Sequence, residues 1–166
     1  MKQIEGDIRR YAFTQGHAFW HMAMPVPALL EDARGAHADG QLGLLRHTSR
    51  NLGLVCAVTL AYVERDGRPA PALHARAAWA LRLIAGHPLA EDCEALIRGD
   101  RTLALDELLE RCVALTDAID AIVGRTPHPM SAEGYFPSLA LLRDYLRLAE
   151  SVGEKGFLPR EWGGNA

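Results

Sequence analysis

The chain has 166 residues, of which 49% are hydrophobic, enough to form the core of one domain. Its 18 Lys and Arg residues are outnumbered by 21 Asp and Glu, and this balance argues against nucleic acid as a partner. Three widely spaced cysteines in apolar surroundings exclude a disulfide scaffold. The 12-residue stretch 52–63, without charged or amide side chains, is shorter than the roughly 20 residues of a membrane span. No charged-then-apolar leader opens the chain, so we expect a cytoplasmic protein with no membrane partner.

The composition favours an all-α fold. Ala occurs 26 times and Leu 24 times, whereas Val and Ile together occur only 13 times. The strongest helix formers therefore outnumber the β-branched residues that are typical of sheets. We predict a single-domain helical bundle over residues 1–152, followed by a C-terminal strap or flexible tail over residues 153–166.

Proline and glycine divide the bundle into about six to seven predicted helices, because both residues interrupt or end helices. The predicted helices span residues 2–23, 26–37, 41–65, 71–85, 89–98, 105–123 and 138–152. The clearest is 105–123, where apolar residues recur every three or four positions and acidic residues occupy the other faces.

The predicted third helix carries two apolar stripes and is therefore expected at the centre of the bundle. The first stripe consists of Leu45, Thr48, Leu52, Val55, Cys56, Thr59 and Tyr62. The second consists of Leu44, His47, Asn51, Leu54, Val58 and Ala61. Burial of His47 and Asn51 in the second stripe would require polar partners. These partners are either a neighbouring loop or helix end, or a ligand in a pocket.

His17 and His21 are four residues apart in the predicted first helix, so their imidazoles share one face and could converge on a divalent metal. A metal site would need a third ligand, which His47, Glu31 or Asp32 could supply. The spacing occurs without an HExxH, Glu-x-x-His or CxxC motif. The alternative is that the two rings pack beside neighbouring aromatic side chains.

Aromatic and methionine residues are concentrated between positions 11 and 24, beside these histidines. Phe13 and Trp20 could form a wall that binds a flat organic molecule, although core packing is the commoner role of such residues. For a cationic ligand, Glu31 and Asp32 would add charge attraction to the cation–π attraction of Trp20.

These observations lead to a first hypothesis of a small polar or aromatic ligand bound between the first and third predicted helices. Trp20, Asn51, Phe13, Glu31 and Asp32 would bind it. Three histidines, whose charge changes near neutral pH, would be the catalytic candidates if the ligand is transformed by acid–base or metal-assisted chemistry. These are His17, His21 and His47. The residues leave open whether the protein is an enzyme.

A second hypothesis is a non-catalytic helical subunit that docks to a catalytic partner protein through the Met and aromatic face of the first helix. A homodimer is also compatible with the sequence, because Ala-rich helices can approach each other closely.

Three segments within residues 51–122 carry a resemblance to a known family: LAYVERDG at 60–67, ARAAWAL at 75–81 and LIRGD at 96–100. This part of the chain resembles the C-terminal helical domain of bacterial aminoglycoside nucleotidyltransferases. The resemblance implies a helical wall of a small-molecule pocket, and docking to a nucleotidyltransferase that lacks this domain. The Gly-Ser and Asp-x-Asp signature of nucleotidyl transfer is missing, so no catalytic residue is carried over.

Arg82 and His87 are spaced like the Arg and His of HEPN bundles, which are often ribonucleases. This chain resembles them only in part, because Leu83 occupies the position of the polar residue and Gly86 is expected to break the helix. An HEPN-like ribonuclease toxin is therefore a third hypothesis.

Overall fold

A computed structural model describes residues 17–18, 20–22, 24–64, 71–99 and 101–123. These residues contain five helices and no strand, which confirms the predicted all-α class. The helices are α1 (Pro25–Ala38), α2 (Leu42–Glu64), α3 (Leu73–Leu83), α4 (Ala90–Arg98) and α5 (Leu105–Val123). Residues 17–18 and 20–22 are also helical and are called the N-terminal segment below. The predicted seventh helix, the tail and most of the predicted first helix lie outside the described residues.

The helices begin and end near the proline and glycine residues that were predicted to interrupt them. Proline occupies the start of α1, where its missing N–H costs no helical hydrogen bond. Helix α4 is capped by Gly99, whose φ of 68° is left-handed and whose N–H donates to the Ala95 and Leu96 carbonyls of the last turn. Gly86, with φ of 90°, lies in the turn between α3 and α4. Across the described ranges, no helix combines the length and apolar character needed to cross a bilayer.

Helix α2 is the centre of the bundle, as predicted for the third helix, and packs against each of the other four. Its first predicted stripe is buried, apart from half-buried Val55. Its buried members are Leu45, Thr48, Leu52, Cys56, Thr59 and Tyr62. The apolar periodicity of this stripe therefore identified the core face of the helix correctly.

The predicted second stripe is buried only in its C-terminal half. Val58 and Ala61 are buried, but Leu44, His47 and Asn51 are exposed. The expectation that His47 and Asn51 are buried was therefore wrong. On this face the first turns of α2 are open to water, which can hydrate both polar side chains.

Helices α2 and α4 approach each other closely at Gly53. A Cβ atom at position 53 would lie 2.7 Å from the Leu96 Cβ and 3.2 Å from the Cys93 carbonyl oxygen. Because the second contact is with backbone, α4 would have to shift to accommodate a methyl group. The small residue therefore sets the distance between the two helices.

We expect Gly53→Ala to lower the free energy of unfolding by about 1–3 kcal/mol, since overpacking a close contact outweighs the gain in helix propensity. Gly35→Ala is the matched control, because a Cβ in this α1 position has no neighbour within 4 Å. This control should stabilise the protein by about 0.5–1 kcal/mol. Denaturant unfolding followed by circular dichroism measures both changes, and equal effects of the two substitutions would contradict the close contact.

Candidate functional site

Five aromatic rings lie together where the N-terminal segment meets α2 and α3. This aromatic cluster consists of His17, Trp20, His21, Tyr62 and Trp79. The ring centroids of His17 and His21 are 5.8 Å apart, and that of Tyr62 is 5.2 Å from His17 and 5.9 Å from His21. These separations are typical of packed aromatic pairs.

The rim of the cluster is formed by three half-buried rings. Trp20 lies 5.6 Å from His21, and Trp79 lies 5.9 Å from Tyr62, between ring centroids. Trp20, His21 and Trp79 keep part of their surface in contact with solvent, whereas His17 and Tyr62 are buried. The two predicted histidines and Trp20 are thus brought together, and Phe13 lies outside the described residues.

A hydrogen bond between the N-terminal segment and α2 fixes the His21 ring. The Thr59 hydroxyl donates its hydrogen to the Val55 carbonyl at 2.7 Å. Toward His21 Nδ1, at 2.9 Å, the same oxygen can then only accept. Nδ1 therefore carries the proton of the neutral ring, and Nε2 is left with a lone pair that can accept a hydrogen bond or bind a metal.

The surroundings of His21 keep its ring neutral. Burial lowers the pKa of His21 from 6.5 to about 3, and the electrostatic interactions of its ring with His17 and with the Arg76 guanidinium lower the pKa further. A general base works best when its pKa lies near the working pH. His21 is therefore well suited to accept a hydrogen bond and poorly suited to carry protons near pH 7.

Arg76 is a cationic residue beside the cluster. It lies on α3, one turn before Trp79, and its Nε–H donates to the Pro71 carbonyl at 3.0 Å. Glu31 and Asp32, by contrast, lie on the exposed face of α1. Their expected role in attracting a cationic ligand stays a prediction.

The structure separates His47 and Asn51 from the two histidines of the N-terminal segment. Asn51 lies roughly 12 Å and His47 roughly 18 Å along α2 from Thr59, the residue that His21 contacts. The exposed Asn51 amide donates to His47 Nε2 at 3.2 Å, so the two polar side chains satisfy each other. The prediction that these four residues line one pocket was wrong.

The expected third metal ligand is also not supported. Within the described ranges, no three His, Cys, Asp or Glu side chains come together in a way that could hold a metal ion. His47, Glu31 and Asp32 all belong to these ranges, so none of them completes a site with His17 and His21.

The three cysteines are free and buried in the core. Burial raises the pKa of the Cys56 and Cys112 thiols and brings that of Cys93 to about 12. The Cys112 thiol donates to Ser49 Oγ at 3.2 Å, and this hydroxyl donates to the Leu45 carbonyl. These thiols are core residues rather than nucleophiles, as their apolar surroundings in the sequence indicate.

Arg82 and His87 lie on opposite sides of the end of α3. The helix ends at Leu83, and His87 follows the left-handed Gly86 in the turn. There its Nδ1 accepts the Leu89 N–H at 3.1 Å, at the start of α4. The pair therefore does not lie on one continuous helix, in agreement with the predicted break at Gly86.

No protein family, no curated protein and no solved structure matches this chain. The resemblance to nucleotidyltransferase helical domains and HEPN bundles therefore stays a prediction.

Sequence reasoning missed four residues of this site: Thr59, Tyr62, Arg76 and Trp79. Thr59 and Tyr62 were assigned to a core stripe, and their three-residue spacing shows that they share a face. Arg76 and Trp79 have the same spacing, but periodicity within one helix does not reveal which helix lies opposite.

The lowered pKa of His21 predicts a pH-dependent stability. The unfolded chain binds a proton at this residue below about pH 6.5, whereas the folded protein binds it only near pH 3. Acidification across this interval therefore favours unfolding, by up to about 1.4 kcal/mol per pH unit for one proton. We expect the unfolding free energy of His21→Gln to change less steeply with pH than that of the wild type, because the His21 contribution is lost. Denaturant titrations between pH 4 and 7 measure this dependence. His47→Gln, at an exposed position of α2, is the control for the loss of one histidine, and a His21→Gln slope equal to the wild-type slope would contradict the assignment.

The buried thiols predict slow chemical labelling. At pH 8 we expect the native protein to react with Ellman's reagent at least about a hundredfold more slowly than the protein unfolded in guanidinium, because labelling requires local opening of the core. All three cysteines should react after unfolding. Rapid labelling of any one of them in the native protein would show that its thiol is accessible.

Proposed function

We propose that the protein binds a small planar molecule with a hydrogen-bond donor at the aromatic cluster, between the N-terminal segment and α2. The observation that carries the proposal is the His21 ring, which Thr59 holds in the tautomer with an Nε2 lone pair. The ring lies beside Trp20 and Tyr62, whose faces offer apolar contact area. Together they would supply one directional acceptor and an aromatic wall, the combination that is typical of small-molecule sites.

Binding is better supported than catalysis by His21. A ring that stays neutral from pH 8 to about pH 4 accepts a hydrogen bond at every physiological pH, but it is a weak proton acceptor. Metal-assisted chemistry has less support, because His17 and His21 find no third ligand among the described residues. The proposed ligand is therefore recognised through a hydrogen bond and aromatic contacts.

Docking to a protein partner is a second candidate. Met24, one helical turn after Trp20, is 58% exposed and could extend the aromatic rim into an apolar contact surface. In this case, loss of the His21 acceptor would leave partner association unchanged, and substitution of Met24 would weaken it.

Indole and benzofuran are matched probes of the proposed acceptor, since they share a shape and only indole has a donor. We expect indole to bind with a Kd on the order of 0.1–1 mM by isothermal titration calorimetry, and benzofuran to bind about three- to tenfold more weakly. His21→Phe, which keeps an aromatic ring without an acceptor, should abolish the preference for indole. His47→Ala, on the exposed part of α2, should retain it.

A second pair of variants tests how the ring is held. Thr59→Val removes the hydroxyl that accepts from His21, and we expect it to reduce the preference for indole. Thr116→Val is the control, because Thr116 makes the same bond to the carbonyl four residues earlier, at 2.8 Å. Absence of indole binding, or equal effects of the two threonine variants, would contradict the proposed function.

A further inference from the structure

We infer that the aromatic cluster selects an aromatic or heteroaromatic carboxylic acid, with the carboxylate bound by Arg76 and a ring N–H or O–H bound by His21 Nε2. This inference rests on the proposed function and names the class of ligand. Its basis is the placement of one guanidinium on α3 and of one imidazole acceptor on the N-terminal segment, both beside the same aromatic cluster.

The position of Arg76 follows from α3. Arg76 and Trp79 are three residues apart on this helix and so lie on neighbouring positions of one face. Trp79 contacts Tyr62, and Tyr62 contacts His21, each with 5.9 Å between ring centroids. The same face of α3 that supplies Trp79 to the cluster therefore also carries the guanidinium.

A hydrogen bond to the backbone holds the Arg76 side chain in place. Its Nε–H donates to the Pro71 carbonyl, which anchors the half-buried guanidinium at the start of α3. The two terminal nitrogens carry four further N–H groups in a planar fork. Such a fork matches the two oxygens of a carboxylate and can donate to both at once.

The charge of the cluster selects against cations. None of the five rings of the aromatic cluster carries a carboxylate, and among the described residues Arg76 brings a guanidinium beside it from α3. With His21 neutral near pH 7, an anionic group would compensate the Arg76 charge, whereas an ammonium group would be repelled. A donor on the ligand ring would at the same time satisfy Nε2 of His21.

Three probes that share the indole ring test this inference by calorimetry: indole, indole-3-carboxylate and tryptamine, which replaces the acid by an aminoethyl group. We expect indole-3-carboxylate to bind about tenfold more tightly than indole, and tryptamine more weakly than indole. The advantage of the acid should shrink when NaCl is raised from 50 to 500 mM, since salt screens a partly exposed ion pair.

Variants of two arginines on α3 test whether Arg76 is responsible for the tighter binding of the acid. Arg76→Gln should remove the advantage of the acid over indole, and Arg76→Lys should keep part of it. Arg82→Gln is the matched control, because Arg82 is exposed near the end of the same helix and should not affect the selectivity. Circular dichroism confirms that each variant is folded.

The outcomes separate this inference from the proposed function. If indole binds through His21 but the acid binds no more tightly, or if Arg82→Gln acts like Arg76→Gln, the inference is overturned and the proposed function stands. If neither indole nor its acid binds, the proposed function itself fails.

Discussion

The bundle depends on the burial of α2. Leu45, Leu52 and Leu60 along this helix have no exposed surface, and each contributes about 2 kcal/mol by leaving water. Because α2 packs against all four other helices, its core face fixes where they lie. Gly53 then sets how closely α4 can approach, since a methyl group there would meet backbone of the neighbouring helix.

The candidate site contacts this same core face of α2 through Thr59. Thr59 is fully buried, yet its hydroxyl is satisfied twice, by the Val55 carbonyl and by the His21 ring. A buried hydroxyl without partners would be costly, so this pair of bonds both stabilises the core and orients an imidazole at its edge. Thr59 therefore belongs to the core through its burial, and through its hydrogen bond to His21 it also positions the candidate site.

The periodicity of apolar residues and the positions of proline and glycine were sufficient to predict the described helices and the central position of α2. They were less informative about the site. The pattern correctly grouped His17, His21 and Trp20, which lie within little more than one helical turn, but it wrongly added His47 and Asn51. An amphipathic pattern identifies the helix faces that can be buried. Whether such a face is buried along its whole length depends on how far the neighbouring helices extend over it. For the same reason Arg76 and Trp79 could not be assigned to the site, because their helix contacts α2 only through the tertiary arrangement.

An imidazole that stays uncharged across the range of cellular acidity cannot act as a sensor of that acidity. Most histidines on protein surfaces change their hydrogen-bonding role between neutral cytosol and an acidified compartment. His21 instead presents the same lone pair in both, because its ring remains neutral until the surroundings approach pH 3. The His21 nitrogen would therefore accept the same hydrogen bond from a bound molecule at either pH. The affinity would depend on pH only through ionisation of the bound molecule itself.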